Sequence, residues 1–208
     1  MKVCGITNPE DALFAIAMGA DAVGMILAPS KRRVDPDTVR QVVRALPGDT
    51  VVVGVFRDER ADTILEIVEH TGIRGVQLHG HEIPTDARLV RRKVPFLVQA
   101  FAPGDPRLAR IDDYPVDAVM IDGVNPGSGV AFDWSLAERI APGRRVILAG
   151  GLTPDNVAAA IEQVRPWGVD VASGVEVEPG RKDPVKVRRF IGAAAKALTE
   201  FSGATDRA

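Results

Sequence analysis

Several short stretches of this chain carry residues able to move protons or hold anions. Cys4, the only cysteine, stands two residues after Lys2, where a short apolar stretch runs into Gly5. It is either a small buried hydrophobe or a thiol set at the end of a strand, where ionisation would make it a base or nucleophile. Asp122, in MIDG (120–123), either caps the loop that follows it or takes part in proton transfer. Asp170 admits structural hydrogen bonding and a supporting catalytic role alike. His79 and His81 flank Gly80; at that i, i+2 spacing, without a set of carboxylate ligands, they read as polar residues rather than a metal site. Lys31, Arg32 and Arg33 form a basic loop, solvated or anion-binding, and Gly150-Gly151 and Ser173-Gly174 are turns or phosphate-binding loops.

Positioning these groups together is a question of organisation. Short β-branched apolar runs predict strands near 2–5, 22–27, 50–56, 75–79, 95–101, 118–122, 146–149 and 168–172, with helical periodicity between them. Asn8-Pro9, Asp35-Pro36, Thr153-Pro154 and Asp183-Pro184 each place a capping side chain before a proline, the signature of a helix start. Strands such as TVVVGVF (50–56) are apolar on both faces, as parallel strands covered by helices should be. Eight such units in 208 residues predict a (β/α)8 TIM barrel, a single α/β domain over 1–198, with the polar segment 199–208 a frayed, disordered tail.

In that fold chemistry sits at the C-terminal ends of the strands, and Cys4, the Lys31-Arg32-Arg33 loop, His79, His81, Asp122, Gly150-Gly151 and Ser173-Gly174 all fall at such ends. Alternation along a strand puts Lys2 with Cys4 on one face, Met120 with Asp122, and Asp170 with Ala172. The loops after strands 7 and 8 are where these barrels bind phosphate through backbone N–H groups, and AGGLTPDN (149–156) and SGVE (173–176) occupy them. Gly150, Gly151, Ser173 and Gly174 are therefore the expected phosphate site.

Composition narrows the function class. A net charge of -2 with interspersed signs argues against a nucleic-acid or membrane-surface partner, and no apolar run is long enough to cross a bilayer. With one cysteine and no leader-like segment, a reducing cytoplasm is the expected location.

The ordered set KVCGIT (2–7), GADAVGMIL (19–27), SKRRVDP (30–36), VQLHG (76–80), MIDG (120–123), GSGVAFDW (127–134), ILAGGLTPDNV (147–157) and VDVASGVEVEPGRKD (169–183) resembles the phosphoribosylanthranilate isomerases of tryptophan biosynthesis over about residues 1–198. The resemblance implies an Amadori rearrangement of the phosphosugar N-(5-phosphoribosyl)anthranilate into 1-(2-carboxyphenylamino)-1-deoxyribulose 5-phosphate, with no cofactor and no metal. It implies Asp122 as general acid and Cys4 as general base; Lys2, His79 and Asp170 are supporting candidates by their placement. An unperturbed thiol titrates near about 8.5, so a cation beside it, for which Lys2 is placed, would favour the thiolate. Asp122 would need its pKa raised, by burial or a neighbouring anion.

The resemblance breaks in three places. Where the family reads Ser-Pro-Arg-Tyr, this chain has Ser30-Lys31-Arg32-Arg33, which puts Arg32 on the family arginine and makes it the expected ligand of the substrate carboxylate, with Arg33 the alternative. His81 replaces an acid after LHG, and Ala172 replaces a serine before Ser173. Rival readings are a metal-assisted phosphosugar epimerase, an isomerase of an aminoimidazole ribonucleotide, and a non-enzymatic phosphosugar-binding protein. Cys4 opposite Asp122 argues against the last two. Monomer and homodimer both stay open.

Overall fold

The computed structural model describes residues 1–123, 133–134 and 143–205. Eight parallel strands close into a barrel in sequence order: β1 (Lys2–Cys4), β2 (Ala22–Ile26), β3 (Val51–Phe56), β4 (Gly75–Leu78), β5 (Phe96–Phe101), β6 (Ala118–Ile121), β7 (Val146–Leu148) and β8 (Gly168–Val171). Closure is made by β1 pairing with both β2 and β8, with Lys2 opposite Ala22 on one side and Asp170 on the other. The strands lie within a residue or two of the ranges their apolar runs predict, and the architecture is the expected (β/α)8 barrel. The motif segment 127–132 lies outside the described residues.

Helices follow where the caps place them, with one exception. Asn8 accepts the Asp11 N–H at the head of α1 (Pro9–Ala17), and Asp35 accepts that of Thr38 at the head of α2 (Pro36–Ala45). These are the bonds that satisfy otherwise orphaned amides of a first turn. Next come α3 (Ala61–Thr71) and α4 (Pro84–Arg91), while the connection from β5 to β6 is a 3-10 helix, Pro106–Asp113, kinked at Arg110.

Helix α5 (Val157–Val164) starts three residues later than Thr153-Pro154 suggests. The Asn156 amide accepts from the Thr153 N–H at 2.7 Å and donates to the Gly151 carbonyl at 2.9 Å, so residues 153–156 form a turn bracing the preceding glycines. Asp183 caps α6 (Pro184–Thr205), accepting from the N–H groups of Val185 and Lys186; the helix continues beyond Leu198, where the apolar pattern ends. Between β8 and α6 lies a hairpin that the strand pattern did not reveal, β9 (Glu176–Glu178) against β10 (Arg181–Lys182).

Two apolar layers hold these elements. The larger lies between barrel and helices and includes Ile6, Met25, Leu78, Leu97, Leu148, Ile161 and Phe190; each large side chain fully buried there contributes roughly 1.5–3 kcal/mol. The smaller fills one side of the barrel interior with Val98, Ala100, Ala118, Met120, Ile147 and Ala149. The opposite side of the interior is polar, and there Lys2 and Asp170 meet. Among the described residues no helix is long and apolar enough to cross a membrane.

Candidate active site

Strand β1 delivers Lys2 and Cys4 to the same interior face, as alternation requires. Cys4 is 5% exposed, and the Lys2 ammonium lies 2.8 Å from the Asp170 carboxylate on the neighbouring strand. A Cβ on Gly24, the residue paired with Cys4 on β2, would fall 2.7 Å from the Cys4 sulfur and 2.9 Å from Lys2 Cε. The bare backbone of Gly24 thus makes the space in which the two side chains lie. Burial, the largest influence, holds the thiol above its ordinary pKa and Asp170 adds to the rise; Lys2 and Lys182 oppose it without reversing it, so the cation expected to favour the thiolate is outweighed. The Lys2 ammonium is opposed by burial, but Asp170 and Cys4 outweigh that and hold it charged above the ordinary lysine range.

Asp122 follows β6, 9% exposed, with His79 Nε2 at 3.3 Å from its Oδ2. Gln77 Nε2 lies 2.7 Å from His79 Nδ1. With the amide so oriented, Nδ1 accepts, the proton of the neutral imidazole is on Nε2, and it points at Asp122. Both Gln77 and His79 face inward from the β4 end. His81 goes elsewhere: it is exposed, and its N–H and ring contact Asp58.

The basic loop after β2 divides. Lys31 and Arg33 are exposed, whereas Arg32 is 8% exposed and turned inward. Its Nε donates to Glu176 at 2.8 and 3.0 Å and its Nη2 at 2.7 Å. Glu176 also accepts from Lys182 Nζ at 2.7 Å, and the same ammonium donates to the carbonyl of Cys4 at 2.6 Å. Burial alone would raise Glu176, but hydrogen bonds from Arg32 and Lys182 hold its carboxyl below the ordinary range. Burial likewise draws Lys182 below the ordinary lysine value, against Glu176 and Cys4.

One cavity of about 150 Å³ brings Cys4, Arg32, Gln77, His79, Asp122 and Asp170 together, with Arg57 at the end of β3 also on its wall. A smaller recess is formed by Gly150, Gly151, Ala172 and Ser173, and Asp122 and Asp170 border it too. Gly150 and Gly151 have φ of 85° and 68°, and Ser173 and Gly174 form a one-turn 3-10 helix directly after β8. Of the residues singled out from sequence, Cys4, Arg32, His79, Asp122, Asp170, Gly150, Gly151 and Ser173 line the cavity or its adjoining recess, whereas Lys2 and Gly174 line neither. What the sequence reading missed is the layer behind them: Gly24, Gln77, Glu176 and Lys182. Only the alternation of Gln77 with His79 and the charged residues of SGVEVEPGRKD hinted at it, because a buried ion pair between loops leaves no periodic trace.

The arrangement is a cavity lined by a thiol, carboxylates and an imidazole, with a guanidinium on its wall and a glycine-lined recess beside it. The chain matches, over residues 1–193, the model of the family described as N-(5'phosphoribosyl)anthranilate (PRA) isomerase. It is 46% identical over 205 residues to the N-(5'-phosphoribosyl)anthranilate isomerase of Desulforudis audaxviator, covering 95% of this chain and 98% of that protein. The crystal structure of phosphoribosyl anthranilate isomerase from Thermus thermophilus superposes with a TM-score of 0.86 at 44% identity, over 94% of this chain and 98% of the other. A further phosphoribosyl anthranilate isomerase, solved with reduced 1-(o-carboxyphenylamino)-1-deoxyribulose 5-phosphate, gives 0.81 at 37% identity, over 94% and 97%. By match, identity and shared fold, this chain belongs to the N-(5'-phosphoribosyl)anthranilate isomerase family.

Proposed function

We propose that this chain isomerises N-(5'-phosphoribosyl)anthranilate to 1-(2-carboxyphenylamino)-1-deoxyribulose 5-phosphate, a step of tryptophan biosynthesis, with Asp122 as acid and Cys4 as base. Asp122 gives its proton to the ring oxygen, the C1–O bond breaks as the anilino nitrogen forms a Schiff base, and the furanose opens. The Cys4 thiolate then takes the C2 proton, leaving an enolamine. Its C2 hydroxyl loses a proton and C1 gains one, giving the ketone. Proton exchange resets the two residues.

The observation that carries this reading is the cavity shared by Cys4 and Asp122, which reach it from two strands that are not neighbours, β1 and β6. The local partners suit the roles. The His79 N–H aimed at Asp122 stabilises the carboxylate left once its proton has gone. Lys2 and Lys182 favour the thiolate against burial. Backbone amides around Gly150, Gly151, Ser173 and Gly174 suit the 5'-phosphate, a contact to which Ala172 adds no hydroxyl. Arg32 suits the ring carboxylate.

The test is turnover of N-(5'-phosphoribosyl)anthranilate by the purified chain, followed as loss of substrate fluorescence. Turnover that requires both Cys4 and Asp122 is expected; turnover independent of either removes that residue from the mechanism.

A further inference from the structure

The Arg32 guanidinium is not free to meet a substrate as a flexible side chain would. Its Nε and Nη2 are both committed to Glu176, through three contacts of 2.7–3.0 Å, while Nη1 makes no hydrogen bond among the described residues. Because the guanidinium is a rigid plane, fixing two of its nitrogens fixes the third. Glu176 is itself held from the other side by Lys182, whose ammonium clasps the main-chain carbonyl of Cys4 and, at 3.3 Å, that of Ala172. The loop after β2 and strand β10 thus meet on one carboxylate at the start of β9, and Lys182 ties the end of β1 to the same point.

The end of β1 is shaped for this meeting. Gly5 has φ of 73°, and a Cβ there would lie 2.6 Å from Arg32 Cδ and 3.5 Å from Lys182 Nζ. Its absence lets the Arg32 stem lie directly on the residue following Cys4. The three buried charges sum to +1, so the cluster presents a net positive charge beside the cavity while every member is paired. An anionic ligand then meets a donor whose rotamer freedom has already been lost, which lowers the entropic cost of binding.

We propose that Glu176 is a positioning residue of substrate recognition, holding Arg32 and, through Lys182, the backbone of Cys4 so that the ring carboxylate of the substrate and the base are kept at one separation. The inference rests on the reading of Arg32 as the carboxylate ligand. Glutamine at this position keeps an oxygen that can accept from Arg32 Nε and Lys182, as Oε1 does, but turns an N–H₂ donor towards Arg32 Nη2, so the guanidinium loses the second arm of its fork and its fixed orientation. Aspartate keeps the charge but is one methylene short of spanning them.

The experiment measures the affinity of two product-like ligands for the full chain: reduced 1-(o-carboxyphenylamino)-1-deoxyribulose 5-phosphate, and the same molecule lacking the ring carboxylate. Arg32→Ala, Glu176→Gln, Glu176→Asp and the Arg32→Ala/Glu176→Gln double variant are compared with the parent, and thermal unfolding checks that each is folded. Glu176→Gln and Arg32→Ala should each weaken the carboxylated ligand by about tenfold or more and the other by less than about twofold, with the double variant no worse than Arg32→Ala. Equal weakening of both ligands by Glu176→Gln, or no weakening of either, overturns the positioning role while leaving Arg32 intact. If Arg32→Ala itself fails to discriminate between the ligands, the reading of Arg32 has failed and the inference falls with it. Should Glu176→Gln not fold, Glu176→Asp gives the same readout, and equal loss of both ligands there overturns the proposal.

Discussion

The Lys2 ammonium and the Asp170 carboxylate are 2.8 Å apart inside the barrel, one on each strand of the pair that closes it. They act on Cys4 in opposite directions, against a larger effect of burial. Burial raises its pKa, Lys2 lowers it and Asp170 raises it. The lysine is both the thiol's cation and the aspartate's partner, so the two contacts compete for one charge.

The two partners should therefore be separable by titration. Lys2→Met removes a lowering influence, so the pH profile of Cys4 alkylation should move to higher pH and turnover at pH 7 should fall. Asp170→Asn removes a raising influence and should move it to lower pH. A shift of about one unit corresponds to 1.36 kcal/mol of interaction with the thiolate. Shifts of the same sign in both variants would contradict the competition described.

Loss of either transferring group should act on the chemical step. Cys4→Ser and Asp122→Asn are each expected to lower kcat by at least about 100-fold, the usual scale for a general acid or base, with binding of a reduced product analogue retained. Single-turnover kinetics separates this from slowed product release.

The barrel was legible because its strands are short apolar runs and three of the six described α-helices open on a capping residue and proline, signals local to a few residues. Cys4, Asp122 and Arg32 were legible because alternation and the barrel rule put them on one rim, and the resemblance of KVCGIT and MIDG gave them roles. Glu176 and Lys182 were not. Their partners are 144 and 178 residues away, Arg32 and the Cys4 carbonyl, and the hairpin that brings them back across the barrel mouth has strands of three and two residues, too short for a hydrophobic period. The start of α5 was misplaced for a related reason: Asn156 spends its side chain on Thr153 and Gly151, turning a helix start into a loop brace.

Gly24 offers a test in which nothing charged is changed. Its backbone angles suit any residue, but a Cβ there would press on Cys4 Sγ and on Lys2, so Gly24→Ala must displace one or both. Overpacking of this kind costs about 1–3 kcal/mol of stability. The melting temperature should drop, and kcat should fall with the sulfur no longer in register with C2. Full activity with an unchanged alkylation profile would show that the pair adapts.

The acid limb of stability should carry the mark of Glu176. Its pKa is lower folded than unfolded, so the stabilisation is complete above the ordinary carboxylate value and is lost as pH falls from there through the lowered value. Urea unfolding of the parent should weaken across that window, and Glu176→Gln, which has no proton to take up there, should show a flatter profile.

The basic loop after β2 separates a buried guanidinium from an exposed one. Arg32 lines the cavity with Cys4 and Asp122, while Arg33 is turned to solvent with its main chain bridged to Ile26. Removing an arginine that holds a carboxylate in a closed site leaves that carboxylate unpaired, at roughly 2–4 kcal/mol in kcat/KM, so Arg32→Ala should show a loss of that size. Arg33 acts only through the local potential, and ions within a Debye length of about 10 Å at 0.1 M screen it. Arg33→Ala should then be mild and milder still in added salt, whereas the Arg32→Ala defect should persist. A salt-resistant defect in Arg33→Ala beside a nearly silent Arg32→Ala would move the carboxylate contact to Arg33, and would mean that the Arg32 and Glu176 pair braces the loop rather than binding through it.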